Sequence, residues 1–132
     1  MTDPADYLSP AWFERLRVLA DDLPVQPVVS GRIAHVVSGA PDGDVAYVVG
    51  FVDGRLTEAV RGEAPDAAVA TTRTYADGLR IARGELDEAA AFMQGRLKLT
   101  GHMGTFLDLQ RVTQSPAWHA ATAALAAETV AP

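Results

Sequence analysis

Cysteine is absent from the 132 residues, which excludes disulfides, thiol nucleophiles and thiolate metal sites. Lysine occurs once, at Lys98, and no basic run offsets a formal net charge of -6. Nucleic acid and anionic membrane are therefore not expected as tight partners, because both demand clustered positive charge. Histidine is scarce as well. His35, His102 and His119 stand far apart, with no neighbours at ligand spacing, so a metal site is not expected. Phosphate-binding loops and dinucleotide fingerprints are missing, and Ser30-Gly31 and Ser38-Gly39 lack the flanking glycine of a nucleophile elbow. No apolar run approaches the length of a membrane span, so stable membrane insertion is not expected. The acidic start, Met1-Thr-Asp-Pro-Ala-Asp6, does not look like a signal peptide, and Val130-Ala-Pro132 is no peroxisomal tripeptide. A bacterial, cytoplasmic location is the expectation.

What is present suits one soluble domain over residues 1–132. Hydrophobic residues make up 48% and charged residues 21%, and a chain this long buries about two thirds of its unfolded surface without staples. Ser9-Pro-Ala-Trp12 opens a helix by placing a capping residue before proline. Trp12, Leu16, Leu19 and Leu23 then share a face, and Pro24 should end the helix. The tetrapeptide returns at Ser115-Pro-Ala-Trp118, as shared capping chemistry. It opens an alanine-rich last helix, weakly amphipathic and expected on the surface, although a lid or a dimer contact would also suit it.

Between these helices the period changes to two. From Val28 to Ser38, Val29, Ile33, His35 and Val37 alternate with Ser30, Arg32 and Ser38. After a turn at Pro41-Asp-Gly-Asp44, residues 45–52 are apolar on both faces, as in a central strand. Asp53-Gly54 predicts a hairpin into residues 55–61, and residues 67–73 make a further strand. Short links imply that these strands are antiparallel neighbours. Thr74 with Asp77 resembles a capping box for a helix carrying Tyr75, Leu79 and Ala82, closed by Gly84. Asp87 caps another short helix.

The chain is organised around residues 91–107. Gly95 suits a left-handed helix stop. Arg96 to Thr100 alternate, so Leu97 and Leu99 face one side and Lys98 the other. Gly101 ends that strand, and Met103, Phe106 and Leu107 then recur at helical spacing. Phe92, Met93, Leu97, Leu99, Met103, Phe106 and Leu107 are thus expected to converge on one volume. Periodicity alone favours a packed core over a hollow there.

Phe92, Gly95, Arg96, Leu97, Lys98, Leu99 and Gly101 resemble the signature of sterol carrier protein domains: phenylalanine shortly before glycine, then basic, aliphatic, basic, aliphatic and a second glycine. Residues 75–86 look like the helix and turn preceding it in bacterial members. The family usually places Asp or Asn where this chain has His102, and histidine caps helices poorly, so a shifted start for the next helix is the expectation. The resemblance implies an α/β fold of α+β type: a mainly antiparallel sheet of about five strands, helices packed on one face and a hydrophobic tunnel between. It implies non-covalent binding or transfer of a lipid, with no cofactor, in a site made by Leu79, Phe92, Met93, Leu97, Leu99, Met103, Phe106 and Leu107.

Two alternatives stay open. A small isomerase or cyclase would reuse the cavity with His35 or His102 as base. A dimeric interaction module would use the strand that is apolar on both faces. Lys98, a candidate Schiff-base lysine, should point away from the apolar volume.

Overall fold

The computed structural model describes residues 5–27, 29–41 and 43–130. Val28 at the expected strand start, Asp42 in the expected turn, residues 1–4 and residues 131–132 lie outside the described residues. Helix α1 (Pro10–Leu19) begins where the sequence places it: Ser9 accepts the Trp12 N–H through its hydroxyl, and Pro10 occupies the first turn. It ends at Leu19 rather than at Pro24, yet Leu23 is still buried.

Strands β2 (Gly31–Ala40), β3 (Gly43–Val52), β4 (Arg55–Arg61), β5 (Val69–Thr74) and β6 (Leu97–Gly101) form one sheet in the order β4-β3-β2-β5-β6. Three of its pairings are antiparallel, but β5 runs parallel to β2. The expectation that the first four strands are antiparallel neighbours fails at this step. Both edges of β3 are taken, and the link after β4 is not a hairpin. Residues 62–68 can span about 23 Å, more than the roughly 14 Å of three strand spacings. The link passes across one sheet face, where Asp66 meets Arg32 at 3.1 Å and Arg32 meets Glu58 at 2.7 Å.

The opposite face carries the core. Ile33, Val37, Tyr47, Val49, Phe51 and Val69 pack there against Trp12, Phe13 and Leu16 of α1 and against α4 (Met103–Thr113) and α5 (Pro116–Glu128). Two shorter helices, α2 (Tyr75–Ala82) and α3 (Glu88–Met93), follow β5, capped by Thr74 and Asp87 as expected. Strand β1 (Ala5–Asp6) pairs in parallel with β7 (Thr129–Val130), apart from the main sheet.

The glycines of the signature differ in what they require. Gly95 has φ 77° with open space around it, so only its backbone conformation needs glycine. Gly101 has φ 115°, and a Cβ there would run into the Ala68 carbonyl oxygen. That close approach lets the His102 N–H reach the same oxygen at 2.8 Å, so that α4 starts against the beginning of β5. His102 does cap α4: its Nδ1 accepts the Thr105 N–H at 3.0 Å, and the helix start is not displaced.

Candidate functional site

Cross-strand register fixes what the helix-facing side of the sheet presents. One row holds Tyr47, His35, Thr71 and Leu99 as successive partners, and the next holds Val45, Val37, Arg73 and Leu97. Above these rows, between the sheet and helices α1, α2 and α5, lies a cavity of about 520 Å³. Ligand cavities in proteins span about 300–1,000 Å³. Trp12, Leu16, Ile33, Val49, Phe51 and Leu125 form its buried apolar wall. Exposed residues also line it, namely Asp87, Glu88 and Ala89 on one side and His119 and Ala123 on the other. The mouth therefore lies between the α2–α3 connection and α5. Helix α5 leaves this room because it brings Thr122, Ala123 and Ala126 to the space, side chains too small to fill it.

One end of the cavity is polar. Arg73 is 5% exposed and His35 8%. Arg73 Nη1 donates to Glu88 Oε2 at 3.3 Å, while Nη2 lies 3.3 Å from both His35 Nδ1 and Thr71 Oγ1. A guanidinium can only donate, so His35 Nδ1 acts as acceptor and the ring proton resides on Nε2. Thr71 Oγ1 sits 2.5 Å from the same Nδ1, and the His35 ring stacks on Tyr47 with centroids 4.6 Å apart. Burial, reinforced by the Arg73 charge, holds His35 well below the usual histidine range, so the ring is neutral. Burial raises the phenols of Tyr7 and Tyr47, which also stay neutral. Among the described residues, the buried Arg73 Nε and Tyr75 Oη have no hydrogen-bond partner.

None of the eight residues expected to contact a ligand lines this cavity. Leu97 is buried, and Leu79, Leu99 and Phe106 are partly buried against the core. Phe92, Met93, Met103 and Leu107 are exposed, Met93 at 84%. The expected convergence fails for a reason of helical phase. In α3 the buried position is Ala91, which turns Phe92 and Met93 outward. In α4 the buried positions are Leu109 and Val112. Met103, Phe106 and Leu107 mark a different stripe from the one that Leu109 and Val112 bury. Lys98 is exposed on the far side of β6, as its alternation requires.

His35 is where its strand parity places it, on the cavity side. Arg73, Tyr47, Tyr7 and Trp118 line the cavity as well, beyond the residues expected there from the sequence. Arg73 shares parity with Val69 and Thr71, a charge in phase with the core side of a strand, and that signal was available. Helix α5 turns out to be a wall of the cavity, which corrects the surface-helix expectation. Its weak amphipathicity follows from facing a space rather than packed side chains.

The sequence model of the SCP-2 sterol transfer family matches residues 19–114. Sterol carrier protein 2 of Gallus gallus is 29% identical over 89 residues, which cover 67% of this chain but only 16% of that protein. A crystal structure of sterol carrier protein 2 superposes with a TM-score of 0.67 at 18% identity, covering 94% of this chain and 99% of the other. The solution structure of a conserved hypothetical protein from Thermus Thermophilus gives a TM-score of 0.62, also at 18% identity, with 95% of both chains covered. At such identities the two superpositions speak for the fold, which among the described residues is five helices against a mixed, mostly antiparallel sheet. The family match extends over most of the chain and includes the signature on β6: this protein belongs to the SCP-2 sterol transfer family.

Proposed function

We propose that the protein binds a lipid or similar apolar molecule in the cavity between the sheet and α5, and carries it without chemical change. The observation that supports this reading is the 520 Å³ space itself, walled by apolar side chains in a domain of a lipid-carrier family. Ten methylenes buried there gain roughly 8 kcal/mol before association costs. Selectivity by chain length is weak on this account, since one methylene changes the sum by about 0.8 kcal/mol. Contact with the ligand falls to the cavity walls, while Leu79, Leu97, Leu99 and Phe106 support those walls from behind.

A carrier suits the site better than an isomerase or cyclase. His35 is a weak base, depressed by burial and by Arg73, and its Nδ1 is occupied. His102 spends its Nδ1 on capping α4 and does not line the cavity. Among the described residues no helix is long and apolar enough to cross a membrane, which agrees with a carrier that meets its ligand without inserting stably. A cytoplasmic location belongs to the same reading. A homodimer is compatible with it, and light scattering on the purified protein decides that point.

Trp12 and Trp118 both line the cavity and serve as built-in reporters. Titration of the delipidated protein with a fluorescent fatty acid should give saturable energy transfer from these indoles. Absence of saturable binding, together with no lipid in extracts of the protein purified from its own cells, would overturn the proposal.

A further inference from the structure

The two edges of the sheet are finished differently. At β4, helix α1 packs against the strand and Arg17 donates to the Ala59 carbonyl oxygen. Strand β6 ends the sheet at the other side, and among the described residues no backbone group pairs with its outer edge.

Pairing with β5 fixes which groups are left over. The His102 N–H donates to the Ala68 oxygen, and these two residues stand opposite each other in the register that joins Val69 to Gly101. Hydrogen-bonded pairs alternate along an antiparallel ladder, so Thr100 with Ala70 and Lys98 with Thr72 are also bonded pairs. The N–H and C=O groups of Leu97, Leu99 and Gly101 therefore point outward. Arg73, opposite Leu97, agrees with this phase, since its carbonyl turns towards β2 and accepts from Ser38 Oγ at 3.5 Å.

Exposed apolar side chains flank this open edge. Phe92 and Met93 stand at the end of α3 just before β6, and Met103 and Leu107 stand at the start of α4 just after it. The four leave on the order of 450 Å² of side-chain surface open. With the strand edge added, that reaches the roughly 600 Å² per partner at the low end of specific interfaces.

We propose that β6 is a dimer seam, pairing antiparallel with β6 of a second copy about a two-fold axis at Leu99. Leu99 then meets Leu99 and Leu97 meets Gly101, so outward groups face outward groups in about six hydrogen bonds. Lys98, the one lysine of the chain, comes opposite Thr100 rather than itself, which avoids a like-charge pair. Reversal of the strand brings Phe92 and Met93 of one copy beside Met103 and Leu107 of the other, at both ends. A bilayer would cover the same side chains but leave the edge backbone groups unsatisfied. The inference stands apart from whatever the cavity holds.

Sedimentation equilibrium of the full chain from about 1 µM to 1 mM tests this, because an interface of this size suits micromolar rather than nanomolar affinity. Mass should rise from monomer to dimer, and the Leu99 amide should exchange several-fold more slowly in the dimer. Met93→Glu and Met103→Lys, both at exposed positions, should each weaken the dimer at least about tenfold. Combined in one chain, they should recover most of that loss, since the two positions meet only across the two-fold axis. A monomer at every concentration, undiminished association in either single variant, or no recovery in the double variant overturns the inference. So does a protein that stays monomeric and binds phosphatidylcholine vesicles through Met93, which would assign the patch to a bilayer.

Discussion

His35 and Arg73 touch within a space that water barely reaches, and this makes the fold sensitive to acid. The folded state depresses the His35 pKa below its ordinary value near 6.5, so the unfolded chain takes up a proton first as pH falls. Stability is fully present above about pH 6.5 and declines below it, with a slope of at most about 1.4 kcal/mol per pH unit from this one group. His35→Gln keeps an acceptor but cannot titrate. Urea denaturation between pH 7 and pH 5 should show wild type losing stability faster than the variant, and parallel losses would remove His35 as the cause. The strand parity of His35 was legible in the sequence. Its role was not, because the partners come from β5, and a strand pair formed in parallel across an intervening hairpin leaves no local trace.

At the scale of elements, much was legible because the signals are local. Ser9 and Ser115 each accept a backbone N–H three residues on, from Trp12 and Trp118. Replacing either serine with alanine should cost about 1 kcal/mol in chemical denaturation. The two signature glycines separate more sharply. Gly95→Ala meets only the left-handed backbone penalty, about 1–2 kcal/mol. Gly101→Ala adds a collision with the β5 end and should cost more than about 3 kcal/mol. Comparable losses would mean that β6 and β5 can separate there. What the sequence hid was helical phase. The six residues of α3 are too few to display a stripe, and in α4 bulky side chains at Met103 and Leu107 mimic one that the smaller Val112 helps to define. Size misled where spacing would have decided.

For the molecule as a whole, a carrier must remain folded while partly hollow. Ligand at about a hundredfold its dissociation constant adds roughly 2.7 kcal/mol, so a bound lipid should raise the melting temperature by roughly 10 °C. Ala126→Trp, on the cavity side of α5, fills the space that alanine leaves. It should lose most ligand-induced stabilisation while melting at or above the wild-type temperature without ligand. Lys98→Ala, on the far face of the sheet, should leave ligand affinity unchanged, and a strong loss would mean that the ligand lies elsewhere. The fold class and the carrier family were visible in one short stretch of sequence. Of its own large side chains only Leu97, Leu99 and Phe106 pack on the core, whereas the hollow is made by small residues on α5, whose sequence shows little amphipathic pattern.

The β1–β7 pair has a mechanical corollary. Close to it, Trp12 Nε1 donates to Thr129 Oγ1 at 2.9 Å, and Arg15 holds Glu128 at 3.1 Å. The far end of α5 is thus bolted to α1, while the Ser115 end stands beside the entrance. A helix held in this way at its C-terminal end is expected to yield first at its N-terminal turns, which would admit a wide guest without any separate flap. Amide exchange should accordingly be faster over residues 116–121 than over residues 122–128.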